Sequence, residues 1–280
     1  MKIFYHNDED GKCAAHVIAK KFHHTRQMNN EDYIEINYGM EFPLNIIEKD
    51  EEVFIVDYSI ELEVMDKLLD ITSNIFWIDH HITAIEKYMN YSHKLRGLRK
   101  VEYSGCVLTY LYLYNVSFDQ VPMPIRYIGD RDTWQWRYGQ ETKLFCSGAE
   151  LYDLHPLSPD WKILFNNPDT VKKEGVIIEQ YKTQRNKDYV KSFAYYTVFE
   201  DHEAVVVNIG HVGSEIFDSI KKKPLLIMYV HDGKEYKVSL RSETIDVSKI
   251  ALKYGGGGHS GASGFECQEL PWNLNRLILY

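Results

Sequence analysis

Three short apolar runs early in the chain, "MKIFYH", "EVFIVDYS" and "NIFWID", constrain the fold more than any other feature. Each is β-prone, and two lead directly into helical stretches. "MKIFYH" is followed by "DGKCAAHVIAKKF", where Asp10 stands as the expected N-cap, and "EVFIVDYS" by "IELEVMDKLLDI". Strands alternating with helices imply right-handed crossovers, and so a parallel sheet with helices on both faces. The fold class read from this pattern is α/β. From about residue 104 to 165 the chain reads as mainly helical, through "GCVLTYLYLYN", "MPIRYIGDRDTW" and "TKLFCSGAEL".

The length of 280 residues favours two domains. The expected division is 1–167 for the parallel-sheet domain, 168–192 for a charged helical connector and 193–280 for a smaller α/β domain. In the latter, "FAYYTVFE" and "EAVVVNIG" read as strands, and the arms "LLIMYV" and "YKVSLRS" flank the turn pair Asp232 and Gly233. The helix "VSKIALKY" then runs into "GGGGHSGASGF". Lys221, Lys222 and Lys223 read as a solvated helix end. A few of the 21 tyrosines could stack on bases, while most serve packing or the surface.

No stretch approaches the roughly 18 apolar residues of a membrane span, and the N-terminus lacks the apolar core of a secretory signal, so a cytoplasmic protein is expected. Four cysteines, Cys13, Cys106, Cys146 and Cys267, lie far apart and read as reduced, packed thiols. The net charge of −9 argues against non-specific binding of long duplex nucleic acid. An anionic ligand would then need metal ions to bind.

In doubly wound sheets ligands sit beyond the carboxyl ends of the strands. Three such ends here are acidic or histidine-rich: His6, Asp8 and Asp10 at alternate positions, Asp57 after "FIV", and Asp79, His80 and His81 after "FWI". Each alone has an ordinary reading as a cap, a turn former or a hydrogen-bonded histidine. Their recurrence at successive strand ends points to a metal site, because carboxylates along one edge repel one another unless cations are bound. Mixed carboxylate and imidazole donors suit Mn²⁺, with Mg²⁺, Co²⁺ or Fe²⁺ as alternatives. In the C-terminal part, Gly255, Gly256, Gly257 and Gly258 would let backbone N–H groups cradle an anion, with Arg241 and His259 as further donors.

Taken together, "H-x-D-x-D-G", "VDYS", "DHH", "YIGDRDTW", "SLRS" and "GGGGHSGASGF" resemble the DHH phosphoesterase superfamily with its DHH-associated substrate-binding domain. The resemblance implies two metal ions. His6 and Asp8 would hold the first, Asp10, His80 and Asp130 the second, and Asp57 would bridge them. His81 would reach the substrate phosphate and Asp79 would orient the neighbouring histidines. Some branches place the histidine four residues before the first paired acid, whereas here it is two, and "GDRDTW" offers Asp132 as a rival of Asp130. The implied activity is hydrolysis of phosphodiesters in short oligonucleotides, or of 3′-phosphoadenosine 5′-phosphate, by water activated between two cations. Cyclic-dinucleotide and pyrophosphatase-like hydrolases are the alternatives within the superfamily, and a non-catalytic nucleotide sensor is the alternative outside it. A homodimer is compatible with all of these.

Overall fold

The computed structural model of the protein describes residues 1–27, 29–210, 212–220 and 225–272, so Lys221, Lys222 and Lys223 lie outside the described residues. Two compact units divide between Ile178 and Glu179. In the first, β1 (Lys2–His6) leads into α1 (Glu9–Phe22), and β2 (Tyr33–Ile36), β3 (Val53–Val56), α2 (Leu62–Ile71) and β4 (Ile75–Ile78) follow. The four strands form a sheet in the order β2-β1-β3-β4, and every pairing is parallel.

The side-chain period of two explains why both faces are covered. Ile3, Tyr5, Phe54, Val56 and Ile78 point into one core, with α1, α4 (Gly105–Tyr114), α5 (Met123–Asp132) and α6 (Gln140–Ala149) supplying its other wall. Phe4, Val53, Ile55, Ile75 and Trp77 point the other way, toward Met65 and Leu68 of α2. Burying each such side chain contributes roughly 1.5–3 kcal/mol. The indole N–H of Trp77 donates to the Tyr58 carbonyl at 3.0 Å, so its burial strands no donor. Two shorter helices, α3 (Ile82–Lys87), which follows β4, and α7 (Trp161–Asn166), complete the unit.

Register turns this sheet into a platform. Tyr5 lies beside Val56 and Val56 beside Ile78, so the next residues, His6, Asp57 and Asp79, leave the sheet at one level.

Helix α8 (Pro168–Phe193) spans the division between the units. The second unit contains β5 (Tyr195–Phe199), β6 (His202–Asn208), β7 (Leu225–His231), β8 (Tyr236–Arg241), α9 (Val247–Lys253), β9 (Gly257–His259) and β10 (Ala262–Cys267). Its six-stranded sheet has the order β5-β6-β7-β8-β10-β9, and only β6 and β7 pair in parallel. Val206, Ile227 and Leu240 pack under Val247, Ile250 and Ala251 of α9, while Val205, Val207 and Met228 cover the opposite face with Ile216 and Phe217. The β7–β8 turn is tied by the Asp232 carboxylate, which accepts from the N–H groups of Lys234 and Glu235 at 2.9 and 3.0 Å. Among the described residues, no helix is long and apolar enough to cross a membrane.

Candidate metal centre

Asp57 is the hub. It follows β3, donates its N–H to the Ile78 carbonyl at 2.9 Å and adopts φ = 53°, a left-handed conformation that is uncommon outside glycine and costs of order 1–3 kcal/mol. Its side chain is 1% exposed. One oxygen, Oδ1, lies 3.2 Å from His80 Nε2. The other, Oδ2, lies 3.9 Å from His6 Nδ1 and has no hydrogen-bond partner among the described residues. One carboxylate therefore faces two separate sets of donors.

On the first side, His6 Nδ1 stands 2.7 Å from Asp8 Oδ2. On the second, His80 Nε2 stands 3.4 Å from Asp132 Oδ2. Three overlapping groups have potential ligand atoms all within 4.8 Å of one another: His6, Asp8 and Asp57; Asp57, His80 and His81; and Asp10, His80 and Asp132. Such carboxylate and imidazole sets could hold divalent cations.

Supporting contacts fix these groups from below. Asp8, not Asp10, caps α1, with its Oδ1 accepting from Gly11 N–H at 2.9 Å. Asp10 lies inside the first helical turn and reaches across to the start of α4, accepting from the N–H groups of Gly105 and Cys106 at 2.6 and 3.1 Å. A β-carbon at Gly105 would meet Asp57 Cβ at 2.5 Å and Asp10 Oδ2 at 2.9 Å, so only glycine lets α4 approach the cluster. Asp79 is buried, and its Oδ1 accepts from His80 N–H at 2.8 Å and binds His81 Nδ1 at 2.7 Å. That contact assigns the Nδ1 proton of His81 and leaves Nε2 for another partner.

The electrostatics show a deficit of positive charge. Burial, followed by the charges of Asp10, Asp8, Asp132 and Asp79, pushes the Asp57 carboxyl well above the usual range. Burial, with Asp10, Asp8 and Glu9, pushes Asp132 up to about 9. For Asp8, burial acts upward but is outweighed by the hydrogen bonds of His6 and Gly11, so its carboxyl falls below the usual value. The hydrogen bond to Asp79 raises His81. Among the described residues no lysine or arginine pairs with Asp8, Asp10, Asp57, Asp79 or Asp132. An unpartnered buried oxygen, a glycine-lined approach and a hard donor set all fit a divalent cation.

Of the two acids in "GDRDTW", the structure brings Asp132 and not Asp130 to this cluster. Asp130 is 5% exposed, and its oxygens accept from Arg137 N–H at 2.8 Å, Tyr138 N–H at 3.2 Å and the Thr142 hydroxyl. These donors hold it away from the cluster, and Asp132 stands beside His80 instead.

In the second unit, Arg241, Ala262 and His259 are successive partners across β8, β10 and β9, which puts Arg241 and His259 about 10 Å apart at one level. Arg241 donates to Ser214 Oγ at 3.1 Å and borders a cavity of about 790 Å³ with Ser242, Thr244 and Gly261. Gly255 and Gly256 line a different cavity, of about 380 Å³. The glycine run is partly structural: Gly255 ends α9 at φ = 79°, and a β-carbon at Gly256 would meet the Gly264 carbonyl oxygen at 2.0 Å. Gly257 has no atom within 4 Å of its would-be β-carbon, and with Gly258 and His259 it forms an edge strand, not an open loop.

Residues 191–278 match the DHHA1 domain family. Oligoribonuclease NrnB of Bacillus subtilis is 27% identical over 97% of this chain and 74% of its own. The bifunctional oligoribonuclease and PAP phosphatase NrnA of Mycoplasma pneumoniae is 44% identical over 50 residues, 18% of this chain and 15% of its own. An exopolyphosphatase-related protein from Bacteroides fragilis shares the fold, with a TM-score of 0.52 and 14% identity over 96% of this chain and 86% of its own. A DHH domain from a family of ribosomal proteins does likewise, with a TM-score of 0.54 and 13% identity over 94% of this chain and 81% of its own.

Proposed function

We propose that this chain, a member of the DHH phosphoesterase superfamily carrying a DHHA1 domain, hydrolyses phosphodiester bonds in short oligonucleotides. The observation that carries the reading is the Asp57 carboxylate, whose two oxygens face two donor sets and which no lysine or arginine among the described residues pairs with. Two Mn²⁺ ions would fit there, one toward His6 and Asp8, the other toward Asp10, His80 and Asp132, with Asp57 shared. Divalent cations, when bound, supply charge stabilisation at phosphorus and acidify water near neutral pH.

The chain's own residues supply orientation. Asp79 fixes the ring of His81 through Nδ1, and the raised proton affinity of His81 offers an Nε2–H donor to a phosphate oxygen. Asp10 ties the first turn of α4 to the cluster, so the ligand positions are set before substrate arrives. Arg241 and the strand Gly257–His259 are proposed to bind further parts of the substrate. Short substrates are favoured because both named relatives are oligoribonucleases, and an acidic chain is ill-suited to long nucleic acid.

The test is turnover, with Mn²⁺, of a dinucleotide, a pentanucleotide, a 24-mer, 3′-phosphoadenosine 5′-phosphate, a cyclic dinucleotide and pyrophosphate. Dinucleotide and pentanucleotide should be cleaved faster than the 24-mer, and excess chelator should abolish cleavage. No turnover of any phosphoester by metal-loaded protein would overturn the reading.

A further inference from the structure

Immediately after Asp132 the chain does something that folding alone does not reward. Trp134 and Trp136 both adopt left-handed backbone, at φ = 55° and 54°, where a bulky side chain is a true outlier. Trp134 is nevertheless 72% exposed. Of the five tryptophans in the sequence, Trp77, Trp161 and Trp272 are buried, as a large apolar ring ordinarily would be.

The segment is held firmly from beneath. Asp130 accepts from the N–H groups of Arg137 and Tyr138, Gln135 N–H donates to the Asp130 carbonyl at 3.1 Å, and the Gln135 side chain donates to the Glu102 carbonyl at 3.3 Å. Trp136 packs edge-on against Trp134, with ring centroids 4.9 Å apart at 77°. The exposed ring is thus backed by another ring on a pinned loop. Only Thr133 separates it from Asp132, so the two Cα atoms lie within about 7 Å, and the Asp132 carboxylate is 3.4 Å from His80 Nε2.

We infer that Trp134, backed by Trp136, is a stacking platform for a nucleobase adjoining the phosphate at the metal centre. This rests on the hydrolase reading of that centre and adds a specificity-determining residue to it. Every base presents a π-face, so stacking tolerates any sequence yet separates a nucleotide from a bare sugar phosphate or an inorganic phosphoanhydride. The buried carboxylate of Asp130 then acts at a distance, as the anchor of the loop that carries the platform.

The experiment compares adenosine 5′-monophosphate with ribose 5-phosphate, which share a phosphate and differ by the base. Binding to full-length protein with Mg²⁺ is followed by calorimetry and by tryptophan fluorescence, where quenching reports the two unburied rings. Wild type should bind the nucleotide more tightly, with quenching that ribose 5-phosphate does not cause. Trp134→Ala should weaken nucleotide binding by about 5- to 150-fold, leave ribose 5-phosphate binding unchanged and raise KM for a dinucleotide more than it lowers kcat. Trp134→Phe should keep most of the affinity, which also covers the case of an alanine variant that does not fold. Equal wild-type affinity for the two ligands, unchanged nucleotide affinity in Trp134→Ala, or an equal loss in Trp134→Phe would overturn the proposal. Failure of the hydrolase reading would look different: wild type would cleave no dinucleotide, whatever it binds.

Discussion

The pair Asp130→Asn and Asp132→Asn separates loop anchoring from metal binding at two positions that are nearly adjacent. Asp130 makes three hydrogen bonds from a buried carboxylate. An asparagine keeps one acceptor oxygen and turns an NH₂ toward groups that also donate, so at least one charge-assisted hydrogen bond is lost, costing about 1.5–3 kcal/mol. For a unit of this size that lowers the melting midpoint by roughly 3–12 °C. Among the described residues Asp132 makes no such bonds, and it sits among Asp10, Asp8 and Glu9, which help burial push its carboxyl up to about 9. Removing its charge should leave the metal-free midpoint unchanged or higher.

Metal binding should respond the other way. Loss of a residue that only supports a ligand typically costs 10- to 100-fold in metal affinity, so Asp132→Asn should lose at least that much for Mn²⁺, while Asp130→Asn keeps near-normal affinity per folded molecule. Calorimetric Mn²⁺ titration and thermal denaturation with and without chelator read both effects on the same samples. If Asp130→Asn lost the metal without losing stability, and Asp132→Asn bound it normally, the placement of the two carboxylates would be refuted.

Asp57→Asn should abolish turnover while the chain still folds, because the shared carboxylate is lost but the backbone is not; near-normal turnover would show that the carboxylate is not shared. The metal-free protein should lose stability as pH rises. An acid whose folded pKa exceeds its unfolded value of about 3.9 favours the fold when protonated and penalises it as pH climbs toward the folded value. For Asp132 that window runs up to about 9, Asp57 shifts in the same direction, and the raised pKa of His81 adds to the trend. The melting midpoint in chelator should therefore fall as pH rises from about 5 to about 8, and saturating Mn²⁺ should remove the slope; a flat metal-free profile would contradict the charge deficit. Arg241→Ala should lower kcat/KM on a dinucleotide by roughly 10- to 150-fold with metal affinity unchanged, and an equal loss on a small generic phosphodiester would assign Arg241 to the fold.

The architecture was legible because its signals are local: apolar runs of strand length, helical spacing after them, and acids or histidines at the strand ends. Strand β2 was not, since "YIEI" has four residues, one of them a glutamate, and sits at the sheet edge, where one side of the ladder is unpaired. The choice between Asp130 and Asp132 was also out of reach. Two residues apart on a helix means about 200° around its axis, so only one of them can face the cluster. Deciding which requires the rotation of α5 against α1 and α4, which packing sets. The glycine run was ambiguous in a different way, because a helix end and a close strand approach select the same residue as an anion cradle does.

Asp57 shows what kind of information the sequence does carry about the site. As an acid after a strand it satisfies every local preference for a turn residue, and nothing in "FIVDYS" marks it as unusual. Only the fold makes it costly, by burying the carboxylate, bending its backbone into the left-handed region and leaving one oxygen without a partner. A residue that agrees with local rules and conflicts with its tertiary setting is where function is expected, because the conflict persists only if something absent from the chain resolves it. The flanking histidines and carboxylates form a hard donor set of the kind that could hold a divalent cation.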